Sequence, residues 1–279
     1  MKRLAILLAT YNSGQRLRLL LNSLLSQDYQ NWKLYIHDDL STDETIAIIR
    51  EYSTKFPNKI QIMTDCISKS RGAKNSFLWL LENVDADYYM FCDHDDIWLP
   101  NKINLSINKI FDLELKYPYL PICVYTDLAI VDKDYNILHH SMWKQAKINP
   151  NILEKKEYLK VFNCVTGCTM LFNHKARDIV FPYPDDVPMH DWWIAYKINQ
   201  EKGILSHINK STILYCQHES NVVGAKNINF SYIFHKIKNI NTTIRLNNEK
   251  IHFIKKFEKY SSFKYYWYKS IYSLYRLFI

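Results

Sequence analysis

The chain has 279 residues, 48% apolar and 15% aromatic, enough to bury a substantial core as one large domain or as one domain with an appendage. Its formal net charge of +8 is confined to one end: residues 225–279 carry 11 Lys and Arg against 2 Asp and Glu, whereas residues 1–224 carry 25 against 26. A body with no excess of positive charge argues against nucleic acid as a partner. The six cysteines lie mostly in apolar runs without a C-x-x-C pair, which argues against zinc or a disulfide framework and for reduced thiols in a cytosolic protein.

The start, MKRLAILLATYN, places an apolar run of six residues behind two basic ones; that is shorter than a signal-peptide core and reads as a first strand. No window approaches the roughly 18 uninterrupted apolar residues of a membrane span. From there, short apolar runs alternate with stretches of helical period, which predicts parallel strands joined by helical crossovers. Strands are expected at 4–10, 32–39, 59–64, 88–92 and 121–131, and helices at 16–27, 41–56, 73–84 and 99–117. Ser41 and Glu44 have the spacing of a capping box, and Pro100 falls in the first turn of its helix. A later strand is expected at 166–172 and a helix starting in PMHDWWIAYKI (188–198). The first part is a Rossmann-like α/β half, in which ligands gather outside the carboxyl ends of the strands. Those ends are polar: Thr10, Tyr11 and Asn12, then Asp38 and Asp39, then Asp93, Asp95 and Asp96.

Residues 88–100, YYMFCDHDDIWLP, end an apolar strand on three carboxylates and His94. Like charges at this spacing oppose folding unless a cation or several donors meet them. The chain has five glycines (Gly14, Gly72, Gly167, Gly203, Gly224) and neither G-x-G-x-x-G nor G-x-x-x-x-G-K-[ST], so it has no backbone cradle for phosphate. A nucleotide bound at these strand ends needs its pyrophosphate neutralised otherwise, and a magnesium or manganese ion held by the Asp93–Asp96 cluster would do so. The bland alternative is a solvated acidic turn.

Five motifs in order, ATYN, HDDLSTDET, FCDHDDIWLP, GCTMLF and HDWW, resemble the nucleotide-diphospho-sugar glycosyltransferases of family 2 over residues 3–224. With QHESNVVGA they resemble the rhamnosyltransferase-like branch that builds bacterial capsule, O-antigen and related surface polysaccharides. The resemblance implies a GT-A fold, a mixed sheet flanked by helices. It implies a catalytic domain over 1–224 (nucleotide-binding half about 1–126, acceptor half about 127–224) followed by a basic aromatic tail over 225–279. It further implies that Asp39 contacts the base, Asp93 the ribose or metal, Asp95 the metal, with His218 as a third metal or diphosphate ligand, and that Asp191 is the catalytic base. The nucleotide-sugar site would then comprise Thr10, Tyr11, Asn12, Asp39, Arg71 and Asp93. Trp192 and Trp193 are expected as an apolar wall for the acceptor, or as anchors of their helix. Asp191 is equally suited to cap that helix. Arg71 and Lys74 are candidates for phosphate contacts, or solvated helix-start charges. Gly167 would allow close approach beneath the acceptor.

The expected reaction is transfer of a sugar from a nucleotide donor, dTDP-L-rhamnose by the branch resemblance or a UDP-hexose, to a hydroxyl of a saccharide or lipid-linked saccharide. Asp191 removes the acceptor proton in a single inverting displacement. The tail places Phe253, Phe257, Tyr260, Trp267, Ile271, Leu274 and Phe278 in one helical stripe flanked by tyrosines and lysines. Such a stripe suits an anionic membrane surface, here the inner face of the plasma membrane, or packing on the body or on a second copy of the chain in a homodimer. Two other classes compete. A metal-dependent phosphoesterase would share the acidic cluster, but its aspartyl nucleophile is missing where Thr10, Tyr11 and Asn12 stand. A membrane adaptor without catalysis would need the tail alone.

Overall fold

The first strand, LAILLAT, is apolar throughout because both its faces are covered, as parallel sheets require. A computed structural model describes residues 2–65, 69–216 and 240–278. In it β1 (Leu4–Thr10) lies between β2 (Trp32–Asp38) and β4 (Tyr88–Asp93), with β3 (Ile60–Ile62) outside β2, all four parallel. Beyond β4 the direction reverses at β8 (Met170–Asn173), which pairs antiparallel with β4 and with β6 (Ile122–Val131). Strand β9 (Ile204–Cys216) runs parallel to β6, β5 (Ile97–Trp98) closes antiparallel on β9, and β7 (Ile137–His139) pairs β6. The order is β3-β2-β1-β4-β8-β6-β9-β5. The boundary expected near residue 126 falls inside β6, so the two expected halves share one sheet.

Among the described residues the helices are α1 (Arg16–Leu25), α2 (Thr45–Lys55), α3 (Gly72–Asn83), α4 (Lys102–Lys116), α5 (Met142–Gln145), α6 (Pro150–Leu153), α7 (Lys156–Val161), α8 (His174–Asp178), α9 (His190–Gln200), α10 (Ile240–Lys255) and α11 (Ser262–Tyr275). Alternation along β1 sends Leu4, Ile6 and Leu8 into a core with α1, α2 and α4, and Ala5, Leu7 and Ala9 into one with α3 and α9. Register aligns Thr10 with Asp38 and Ala9 with Asp93, so the polar tips meet at one end of the sheet.

Local departures from the sequence pattern have physical causes. Helix α2 begins at Thr45, not Ser41, because the Ser41 hydroxyl is spent on Asp38 Oδ1 (2.6 Å) and Asp43 Oδ1 accepts the Thr45 N–H (3.0 Å). In place of a strand from 166, Gly167–Thr169 forms a 3-10 turn ahead of β8. Strand β5, two residues beyond the acidic run, has no sequence signature; it exists because β9 offers Ile213 and Leu214 as partners.

The tail packs on the body, and its single stripe divides in two. Helix α10 ends at Lys255 and α11 starts at Ser262, which resets the helical phase. Phe253 and Tyr260 are buried with Ile251, Ile254, Tyr265 and Tyr272, whereas Phe263, Trp267, Leu274 and Phe278 are exposed. The buried Lys160 ammonium of α7 meets Glu258, in the turn between the two helices, at 2.8 Å, and Tyr196 donates to the same carboxylate at 2.9 Å. Asn149 donates its N–H to the Tyr272 hydroxyl at 2.8 Å. Among the described residues no helix is long and apolar enough to cross a membrane. Since Ile254 is fully buried where tail and body meet, Ile254→Ala is expected to cost about 2–5 kcal/mol in urea unfolding, and Trp267→Ala on the exposed face less than about 0.5 kcal/mol; equal effects would refute this division of the stripe.

Candidate active site

At the mouth of β4 the chain carries Asp93 out of the sheet, turns through His94 and Asp95, and returns at Asp96 to the short pairing of β5. Asp95 and Asp96 are buried and Asp93 half-buried. Ligating atoms of Asp93, Asp96 and Cys168, the last on the turn before β8, lie within 4.8 Å of one another. Burial first, then Asp95, then Asp191 push the Asp93 carboxyl up to about 7. Burial, Asp93 and Asp95 hold Asp96 well above the usual carboxylate range. Apart from the weak thiol donor Cys168, neither oxygen of Asp96 has a hydrogen-bond partner among the described residues.

Beneath the cluster is a cation that the sequence did not single out. Lys102, in the first turn of α4, is fully buried, its ammonium 4.5 Å from the centre of the Trp98 ring and without a hydrogen-bond partner among the described residues. Burial lowers it to about 8, and attraction to Asp96 opposes that. One ammonium cannot balance three carboxylates, and these oxygens are hard donors of the type magnesium and manganese take. The residues therefore fit a hard divalent ion. Cys168 is the odd member of that set, since a soft sulfur suits such an ion poorly, and burial raises its thiol well above the ordinary 9.0. His218 lies outside the described residues.

Asp191 is in the first turn of α9, its Oδ2 accepting the Gly167 N–H at 3.2 Å and its Oδ1 the N–H of Trp192. Its carboxyl is raised to about 6, first by burial, against those hydrogen bonds and the attraction of Lys250. Asp191 adds to the repulsion at Asp93, so the two belong to one electrostatic site. Gly167 is required here: a Cβ would stand 2.8 Å from His190 Nε2. The close approach expected at Gly167 is thus made by a neighbouring side chain. His190 is buried between Phe77 and Phe91, ring centroids 4.7 and 4.9 Å away, and neither of its nitrogens has a partner among the described residues.

Other expected residues fall differently. Trp192 and Trp193 do not form an exposed wall: they are 3% and 1% exposed and donate their ring N–H groups to Leu159 and Val180 carbonyls at 3.1 Å. They are core, because successive residues of α9 are gripped by α7, α8 and the tail. Asp39 is buried with its carboxylate turned into the next loop, accepting the N–H groups of Arg71 (2.7 Å) and Gly72 (2.8 Å) and the Ser70 hydroxyl. Thr10 is buried and donates to Asp38 (2.8 Å). Asn12, at φ +46°, accepts the Thr42 N–H (2.9 Å) and staples the ends of β1 and β2. Tyr11 is half exposed on the rim. The Arg71 guanidinium pairs with Asp65 over the Trp79 ring, and Lys74 clamps the carbonyls of Asp185 and Val187 at 3.0 Å.

With this geometry, comparison with known proteins is decisive at the level of family. The model of glycosyl transferase family 2 matches residues 5–180, more than half of the chain. The chain is a family 2 glycosyltransferase. Among its relatives, the dTDP-rhamnosyl transferase RfbG of Shigella flexneri is 32% identical over 231 residues, covering 80% of this chain and 75% of that protein. The UDP-Glc:alpha-D-GlcNAc-diphosphoundecaprenol beta-1,3-glucosyltransferase WfgD of Escherichia coli is 24% identical over 201 residues, 72% and 71% of the two chains. The mannosyltransferase PcManGT of Pyrobaculum calidifontis, solved with GDP-Man and Mn2+, superposes with a TM-score of 0.60 at 16% identity over 79% of this chain. S. aureus TarS 1-349, solved with UDP-GlcNAc, gives 0.58 at 18% over 79%. This chain spans 58% and 60% of those two solved chains. The likeness establishes the fold, the GT-A mixed sheet flanked by helices.

In this family 2 glycosyltransferase the sequence motifs marked the carboxylates and ran through Cys168 and His190 without giving them these places, and they left Lys102 and Lys250 unmarked. Burial and a missing partner distinguish Lys102 and His190, and contacts between distant segments distinguish Cys168 and Lys250; none of these is visible in a sequence. His190 carries a measurable consequence. Burial depresses its imidazole from 6.5 to about 3, so between these values the unfolded chain binds a proton that the folded one refuses. The His190 contribution is complete above about pH 6.5 and lost as pH falls toward 3, with a slope of up to ~1.4 kcal/mol per pH unit. Urea unfolding from about pH 7 to 4 is expected to show that slope as the difference between wild type and His190→Gln; parallel curves would contradict it.

Proposed function

We propose that this glycosyltransferase moves L-rhamnose from dTDP-L-rhamnose to a hydroxyl of a growing, lipid-linked surface saccharide, with inversion at the anomeric carbon. The observation that carries the reading is the buried carboxylate cluster at the carboxyl end of β4, with Asp191 in the same electrostatic site. A UDP-hexose donor is the second reading; the likeness to WfgD favours it, as the likeness to RfbG favours rhamnose.

Asp93 and Asp95 would hold the divalent ion, with Asp96 supported from below by Lys102. When bound, that ion supplies positive charge to the departing diphosphate. Tyr11, Asn12 and Arg71 would line the nucleotide side, where the half-exposed Tyr11 ring offers a surface for the base, with the buried Thr10 bracing Asp38; Asp39 shapes this wall by fixing the start of α3. Asp191 takes the acceptor proton. Its raised pKa makes it a stronger base than an exposed carboxylate while leaving it largely ionised at neutral pH. The backbone N–H groups of Gly167 and Trp192 aim it.

The acceptor reading is supported by the tail. The exposed face of α11, with Phe263, Trp267, Leu274 and Phe278, suits burial in the interface of an anionic leaflet, at the inner face of the plasma membrane where a lipid-linked acceptor is presented.

Thermal-shift screening separates these readings. Manganese with dTDP-L-rhamnose is expected to raise the melting temperature more than manganese with UDP-glucose, and chelation to reverse the rise. Asp95→Ala is expected to abolish the metal-dependent part, and Asp191→Asn to keep it while lowering turnover about 10²–10⁴-fold. Absence of any metal effect with all nucleotide sugars would defeat the proposal.

A further inference from the structure

The C-terminal helices lie beyond the residues matched by the family model, yet one of their side chains reaches the active centre. Helix α10 seats Ile251, Phe253 and Ile254 in the core shared with α9, and the Phe253 ring meets Trp192 and Trp193 at centroid distances of 5.9 and 5.8 Å. This docking carries the preceding residue, Lys250, over the face of Trp192, its ammonium 4.9 Å from the ring centre. Trp192 follows Asp191 directly and gives it a backbone hydrogen bond. Burial first, then Lys269 of α11, lower the half-buried Lys250 ammonium to about 7, and its mutual attraction with Asp191 opposes them and favours the charged pair. Asp191 for its part faces the negative charge of Asp93. Two backbone N–H groups orient this carboxylate, but neither carries the full charge needed to offset the repulsion from the acidic cluster. The Lys250 ammonium, in the protonated form that Asp191 favours, does.

We infer that Lys250 is a positioning residue of the active centre: the C-terminal segment lays its ammonium on Trp192 and so holds the Asp191 carboxylate charged and in place, against the acidic cluster, as the acceptor hydroxyl approaches. The inference rests on Asp191 being the base. It makes the tail part of the catalytic apparatus as well as part of the core. The role belongs to the charge and not to the aliphatic stem, so a cation of another shape should replace it and an uncharged side chain of similar volume should not.

The test uses the full chain with manganese and dTDP-L-rhamnose, following release of dTDP as water takes the place of the acceptor. Lys250→Met is expected to lower kcat about tenfold with KM for the donor and the melting temperature unchanged, and Lys250→Arg to recover about half or more of the loss. A Lys250→Met enzyme with the wild-type kcat would overturn the inference, as would a Lys250→Arg enzyme no better than the methionine variant or a loss of kcat that follows a loss of thermal stability. Asp191→Asn separates the two levels of reading. If that variant keeps its turnover, Asp191 is not the base; if it loses turnover while Lys250→Met does not, only the role of Lys250 fails.

Discussion

Confining Asp93, Asp95 and Asp96 to the mouth of one buried strand is the condition to which the surrounding structure answers. Two unit charges 4–5 Å apart repel by about 4 kcal/mol at an effective dielectric constant near 20, a large fraction of the net stability of an ordinary domain. The chain meets this in three ways. It buries Lys102 near Asp96, brings the Cys168 thiol against both Asp93 and Asp96, and lets the carboxyl groups of Asp93 and Asp96 titrate far above their usual range. Each is a partial answer, and together they leave room for a divalent ion.

The reversal of direction between β4 and β8 turns this local problem into a site. An all-parallel sheet would carry the chain away from β4 at its carboxyl end. The antiparallel entry of β8 instead places the Gly167–Thr169 turn against the acidic residues. The same turn offers Gly167 N–H to Asp191, and the absent Cβ at Gly167 admits His190. The carboxylates proposed to bind the ion and the one proposed to accept the proton are thereby held by one short turn that touches both.

How far the sequence was legible follows from this. The alternation of strands and helices up to residue 131 was readable because each element carries its own periodicity. The order of strands β8, β6, β9 and β5 was not, since it depends on pairings between distant segments. Strand β5 is two residues long and owes its existence to β9. The carboxylates announced themselves by crowding. Lys102 looked like any charged residue at a helix start, and Trp192 and Trp193 looked suited to a sugar-binding wall; only packing shows the first beneath the acidic cluster and the other two inside the core. The tail stripe was visible as a stripe, but a break in helical phase at Ser262 decides which half faces inward.

The pairing of Lys160 with Glu258 gives the tail a bearing on how the molecule can be taken apart. The lysine belongs to α7 and is buried; its carboxylate partner is contributed from about a hundred positions further along. Lys160 also meets Glu157, at 3.4 Å, so losing Glu258 would leave the buried ammonium with the more distant of its two carboxylates. Any version of the chain cut short before Glu258 would therefore be weakened within its core as well as at its surface. The C-terminal helices are thus part of the same packed core as the sheet.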